Sequence, residues 1–485
     1  MKLLRHTVFN LIGLGAPLLV AVGTIPVLIQ QLGPSRFGLL TLIWAVVSYF
    51  GLFDLGLGRA LTQQLVVVFS NKDYKKVGPL VGTATVLMAM LGVVAGMLMA
   101  AAASWGVGLI QDVPDRLEAI NAVYAMALAM PFIVLTSGFR GILEARHAFG
   151  IINLIRLPMG LFTFLGPLVV VLYRGGPRLD YIAWVLFGGR VIACGVHTYY
   201  AWRILPRERS AFAWQAQLLK PLCSSGGWLT VSNVISPLMS YLDRFVLGAI
   251  VSASAVAYYA TPQELVLKLA IIPIALTAVL FPTLSASIND CQESTFILVK
   301  KAIFWLFLAI LPITVAITLF AEKLLSTWIS KDFASESAVL LQVLSIAMFI
   351  GSMAQIPFTV IQSAGRSKIT AIIHCAEVPI FLFLLWFLTS FLGALGAAYA
   401  WLFRILVDTV LMTVASMFVL GQPLSKVLNL RVLSAAVFSI FCFGGAMLPD
   451  GPGRLLWMLL VILLICSISI FTLRRSFGRG IKDVG

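Results

Sequence analysis

Charge is scarce in this chain of 485 residues: Asp, Glu, Lys and Arg together make up 11%, where a soluble domain carries roughly a quarter. Such a sequence cannot clothe a globule for water. Long polar segments are missing too, and the longest connection between apolar runs, residues 203–222, leaves no room for a folded domain outside them. The six cysteines, Cys194, Cys223, Cys291, Cys375, Cys442 and Cys466, show no CxxC spacing. His6, His147, His197 and His374 form no cluster. Neither a disulfide framework nor a metal site is expected, and no cofactor is implied.

What is present is apolar length. The chain is 60% hydrophobic, with a mean hydropathy of +1.02. A helix needs about 20 apolar residues to cross a bilayer. Runs of that kind fall at 8–30, 37–58, 79–103, 119–139, 157–173, 181–202 and 226–250, then at 256–285, 297–320, 335–361, 369–390, 394–418, 431–448 and 453–473. Lipid offers the backbone no hydrogen-bonding partner, and runs this continuously apolar exclude an alternating barrel strand. The expected fold is an all-α polytopic membrane protein of about fourteen transmembrane helices. The apolar run that follows MKLLRH continues to about residue 30, beyond a cleaved signal's core, so it is read as the first span.

Basic residues set the orientation. With the N-terminus inside, inner segments hold 23 of the 34 Lys and Arg residues and outer segments 7. Both termini are therefore expected in the cytoplasm. The net charge of +15 is mostly this excess; it attracts anionic headgroups and gives no support to a nucleic-acid partner.

The chain also repeats itself. ILEARHAFGIINLI at 142–155 aligns with VIQSAGRSKITAII at 360–373, YIAWVLF at 181–187 with AYAWLF at 398–403, and QLGPSRFGLL at 31–40 loosely with IVSASAVAYY at 250–259. Three matches in chain order, at nearly one offset, point to duplication of a six-span unit. Six is even, so both copies enter the membrane the same way round. The expected organisation is two pseudo-symmetric six-helix lobes at 1–204 and 223–420 around a cavity, a cytoplasmic linker at 205–222, and two added helices with a tail over 421–485.

The opening of the chain resembles the polysaccharide-transporter, or Wzx-type, flippases of the multidrug/oligosaccharidyl-lipid/polysaccharide exporter superfamily. The marks are Asn10 and Pro26, the turn with Leu32, Gly33, Phe37 and Gly38, and the stretch DLGLG at 54–58. YLDRFVLG at 241–248, with Tyr258 and Tyr259, is similar to the start of that family's second lobe. The resemblance implies a non-enzymatic flippase of the bacterial inner membrane. Its cargo would be oligosaccharide repeat units linked to undecaprenyl diphosphate, moved by alternating access for O-antigen or another surface polysaccharide. It also implies bilayer lipids as surroundings, a coupling proton or sodium ion, and other polysaccharide-assembly proteins as partners. Rival readings are a drug/cation antiporter or lipid II flippase of the same superfamily, and a membrane-embedded polysaccharide polymerase or glycosyltransferase. The last would place its reactive groups on a long loop, which this chain lacks.

Charges inside the apolar runs are expensive and must be repaid by a partner or a function. Four are basic: Arg190, Arg244, Lys268 and Arg404. A guanidinium suits a diphosphate because its planar fork bonds two oxygens at once. Lys268 follows Glu264 by four residues and Arg404 precedes Asp408 by four, so each is read equally as half of a structural pair on one helix face. Arg190 and Arg244 have no such acid. Glu377, with no fixed cation beside it, is a candidate for the coupling ion together with Glu264 and Asp408. Tyr258, Tyr259 and Gln263 are candidates to meet sugar rings or to sit in an interfacial belt. Asp54 and Arg59, where the second span ends among Gly51, Gly56 and Gly58, are read as a cap or a cytoplasmic gate. Pro262, Pro273 and Pro282 mark the eighth span as one that bends.

Overall fold

The computed structural model describes residues 2–50, 56–173, 178–206, 210–219, 222, 227–288, 292–426, 430–449 and 451–480. Among them are helices and no strands. The helices are α1 (Lys2–Phe50), α2 (Leu57–Ser70), α3 (Val77–Leu109), α4 (Arg116–Ala145), α5 (Phe149–Tyr173), α6 (Leu179–Ile204), α7 (Gly227–Ile250) and α8 (Ala253–Leu267). They continue with α9 (Ile271–Ser287), α10 (Gln292–Leu319), α11 (Ala321–Trp328), α12 (Lys331–Ser363), α13 (Ser367–Leu392), α14 (Ala394–Val419), α15 (Leu430–Gly444) and α16 (Pro452–Gly480). All fourteen expected spans fall on these helices. Among the described residues eleven helical stretches are long and apolar enough to cross a membrane, one of them running through α8 and α9 together, and Val432–Met447 is a shorter apolar one.

Two departures have local causes. The first two spans form one element, α1, broken at Gly33, whose φ of 73° and ψ of 162° lie outside the helical region and where side chains are strained. Pro34 follows at once. Of the three prolines in the eighth span, Pro262 and Pro282 lie within continuous helix, while the turn before Pro273 tightens into the 3-10 segment Lys268–Ala270 between α8 and α9. Pro273 has no N–H for the carbonyl four residues back, which is how a proline loosens the turn behind it.

The chain divides into two compact units, Met1–Ala257 and Tyr258–Gly485. In the first, α3 packs on α4, α4 on α6, α1 on α5 and α2 on α4. Lipid tails are as apolar as leucine, so close packing rather than water exclusion holds such helices together. Gly92 and Gly96 of α3 supply it: a Cβ at either would lie 2.5 Å from the backbone of Pro131 or Ala127 on α4. α2 lies beyond the expected end of the second span. Its buried face, Leu57, Ala60, Leu61 and Leu65, joins Val77, Leu80, Val81 and Met88 of α3 in one core.

The segment 210–218 belongs to that first unit. Ser210 Oγ donates to the Lys75 carbonyl, Gln215 N donates to Thr83 Oγ1 at 2.9 Å, and Phe212 stacks on Trp202 with centroids 5.0 Å apart. It lies so close to α3 that a Cβ at Gly78 would sit 2.1 Å from the Ser210 carbonyl oxygen, and one at Gly82 2.9 Å from Ala213 N. Leu222 is buried in the same core. Residues 210–215, within the stretch expected to be a linker, thus form a strap bonded along α3.

In the second unit α12 packs on α14, α13 on α14, and α10 on α12. Helix α16 packs on α10, and Val461 and Ile465 of α16 share a core with Leu306 and Leu311. Arg454 fixes that join, donating to the carbonyls of Leu448 and Leu319 at 2.8 and 2.9 Å.

One turn of the first unit recurs in the second at the offset read from the sequence. His147 (φ 54°) closes α4, and Gly365 (φ 70°) closes α12. In the first, His147 N donates to Glu144 O and Ala148 N to Leu143 O. In the second, Gly365 N donates to Gln362 O and Arg366 N to Ile361 O. Each is a Schellman cap.

Candidate functional site

α13 and α14 are joined by a tight turn at Gly393, and each turns a buried stripe inward. On α13 the stripe is Thr370, His374, Glu377, Phe381, Leu385 and Thr389, the spacing of one helix face. On α14 it includes Trp401, Arg404 and Met412. Four ionisable groups meet where the stripes face each other. Glu377 is 3% exposed, and neither of its oxygens has a hydrogen-bond partner among the described residues. Arg404, 8% exposed, lays its guanidinium over the Phe381 ring at 5.5 Å, and its Nε is likewise unpartnered. Asp408 lies within electrostatic reach of both. His374 Nε2 stands 3.7 Å from Asp408 Oδ1, and its ring stacks on Phe358 of α12. Glu377 and Arg404 line a small open cleft with Ile380, Phe381, Leu384, Phe403 and Val407.

Arg404 and Asp408 therefore do not form the ion pair that their four-residue spacing allows. Arg404 lies over the Phe381 ring of α13 instead, and Asp408 stands 3.7 Å from His374. Lys268 and Glu264 do pair, at 2.9 Å on the partly exposed face of α8. Arg244 is 1% exposed and lies over the Tyr241 ring at 5.3 Å, beside the fully buried Asp243. Tyr259 and Gln263 are fully buried and bonded to each other, Nε2 to the phenol oxygen at 3.2 Å. Tyr258 packs on Phe333. Arg190 of α6 is half-buried and has no ion-pair or hydrogen-bond partner among the described residues. Arg59 is exposed on α2; Asp54 lies outside the described residues.

The sequence reading missed two features. His374, which forms no cluster with the other histidines along the sequence, meets Asp408 of the next helix. Glu118, 6% exposed at the start of α4, accepts from Arg36 at 3.0 Å and from the backbone of Leu179, tying the starts of α4 and α6 to α1 just after its break at Gly33. Beside it Arg178 bonds Asp180, and that carboxylate raises the Arg178 pKa above its ordinary value. No three His, Cys, Asp or Glu side chains among the described residues are arranged to hold a metal ion.

Solved structures share this bundle of apolar helices. The fold matches that of a multidrug-resistance MATE transporter of the MOP superfamily in its inward-facing conformation, with a TM-score of 0.72 at 15% identity over 86% of this chain and 94% of that one. It also matches an outward-facing MATE transporter (TM-score 0.61, 15% identity, 86% and 95% covered) and a MOP transporter from Pyrococcus furiosus (0.60, 16%, 86% and 95%). Sequence narrows the class. The chain belongs to the family described as polysaccharide biosynthesis protein, which matches residues 3–288. A Shigella flexneri protein named "Putative O-antigen transporter" is 32% identical over 413 residues, 85% of this chain and 97% of its own length. The family expected from the opening residues is the family the comparisons show.

Proposed function

We propose that this chain is a flippase carrying oligosaccharide repeat units linked to undecaprenyl diphosphate from the cytoplasmic to the periplasmic leaflet of a bacterial inner membrane, for O-antigen or a related surface polysaccharide. The observation that carries this reading is the 32% identity, along 97% of its length, to a protein named for O-antigen transport. The excess of Lys and Arg in alternate connections supports termini on the cytoplasmic side. Arg190, buried by half and without a partner among the described residues, is the cation best suited to a diphosphate. Arg404, set among acids, offers one less.

The test is a deletion strain. Lipid-linked repeat units should accumulate facing the cytoplasm, read by mass spectrometry, and disappear when the gene is returned. The fold shared with multidrug transporters favours one second reading, drug efflux. Under that reading deletion raises drug sensitivity and leaves the lipid-linked glycan pool unchanged.

A further inference from the structure

We infer that Lys300 and Lys426, gathered over the ring of Phe296, bind the phosphate headgroup of an anionic phospholipid where α10 meets the added helices α15 and α16. The site lies within the second unit and stands whatever cargo the chain carries.

Phe296, in the second turn of α10, is 4% exposed and belongs to the core that holds Cys442 of α15 and Val461 of α16. Its ring nonetheless carries two cations. Lys300, one turn further along α10, sets its Nζ 4.2 Å from the ring centre, and Lys426, arriving from beyond the end of α14, sets its own at 5.5 Å. Both lie in the range where the face of a ring attracts an ammonium group. The two charges are therefore no further apart than about 10 Å, the screening length at 0.1 M salt, and they repel each other. Glu293 is the one acid of α10, seven residues before Lys300. Lys300 forms no ion pair with it or with any other acid among the described residues.

Lys426 is held in place by the fold. Gly421 (φ 60°) closes α14 with Schellman bonds, Gly421 N donating to Phe418 O and Gln422 N to Met417 O. The 3-10 turn Leu424–Lys426 follows, and Lys426 Nζ donates to Gln422 Oε1 at 2.7 Å. That amide oxygen aims the ammonium without neutralising it. Two cations brought by separate elements to one ring are the complement of an anion that can accept from both, as a phosphate does.

The surroundings favour a lipid over free phosphate. Ile297, next to Phe296, is 48% exposed, and Val432 and Leu433 at the start of α15 are 48% and 61% exposed. These side chains open apolar runs read as membrane spans, so a phosphate on the lysines leaves its acyl chains free to lie along hydrocarbon. Lysines at the ends of spans reach headgroup level. The two lie on the side proposed as cytoplasmic, where the leaflet is rich in anionic lipid. A ligand that binds only the folded state stabilises it, so the lipid staples α15 and α16 to α10.

Native mass spectrometry of the purified full-length chain, titrated with phosphatidylglycerol, phosphatidylcholine or inorganic phosphate, tests the site. Wild type should bind a first phosphatidylglycerol more tightly than phosphatidylcholine. Lys300→Gln and Lys426→Gln should each weaken that binding about fivefold, the effect of one cation beside an anionic surface. Lys301→Gln removes the same charge about 100° round the helix and should leave binding unchanged, and Lys300→Arg should retain it. Phosphatidylglycerol should raise the unfolding temperature of wild type and of Lys301→Gln but not of the Lys300→Gln, Lys426→Gln double variant, all three unfolding alike without it. Equal binding of the two lipids, or a loss in Lys301→Gln as large as in Lys300→Gln, overturns the site in favour of diffuse charge. Displacement of the lipid by millimolar inorganic phosphate overturns it in favour of a free anion.

Discussion

Arg404 owes its position to side chains that lie elsewhere in the sequence. Its nearest acid along the chain, Asp408, is one turn away, but its guanidinium lies over Phe381 of the neighbouring helix. Removing one partner from a buried charge group costs roughly 3–5 kcal/mol, most of it from the charge left behind. Arg404→Leu should therefore lower the unfolding temperature and the yield of folded protein. Adding Glu377→Gln, which removes one of the orphaned charges, should restore much of both, and thermal denaturation of the two single variants and the double checks this as a mutant cycle. The charges themselves were legible in the sequence, because any ionisable residue stands out in an apolar run. Their partners were legible only where they are local. Lys268 and Glu264 pair as their spacing foretells, whereas the meeting of His374 with Asp408 depends on how α13 and α14 face each other. The burial of Tyr259 and Gln263 together was hidden for the same reason.

Among the elements, hydrophobic runs located the helices well and their breaks less well. α2 lies past residue 58, where the second apolar run was expected to end, yet its face of Leu57, Ala60, Leu61 and Leu65 is core. The break at Gly33 shows what the family's turn residues do. Gly33 takes a backbone conformation that other residues enter only with strain, and Phe37, 1% exposed, packs edge-on against Trp44. Gly38 lets the carbonyl of Ala253 come within 1.8 Å of where a Cβ would sit. Gly33→Ala should destabilise by about 1–3 kcal/mol, and Gly23→Ala, with nothing within 4 Å of its Cβ position, should change the unfolding temperature little. Between α3 and α4 the expected outcome is sharper. Gly92→Leu drives a side chain into the backbone of Pro131 and should cost about 1–3 kcal/mol or more, as overpacking does; detergent-resistant folded yield against temperature measures it.

For the whole molecule, one pair of turns is in keeping with the duplication expected from three short alignments. The caps at His147 and Gly365 use the same bonds at an offset of 218 residues, although the sequences there share few identities. The orientation proposed from charge makes a prediction at this scale. Single cysteines placed at Lys75, Arg146, Arg366 and Lys426 should resist a membrane-impermeant thiol reagent in intact cells, and ones at Asp112, Lys331 and Gly451 should react. The opposite pattern would reverse the topology. The strap along α3 has its own consequence for anyone recombining this chain with a relative. Residue 205 looks like the natural crossover point, since the first expected lobe ends there. A chimera joined at that point lays one parent's 210–218 over the other's Gly78 and Gly82, where any larger residue meets the strap's backbone. A crossover after Leu222 keeps groove and strap from a single parent, and libraries built there should yield far more folded hybrids.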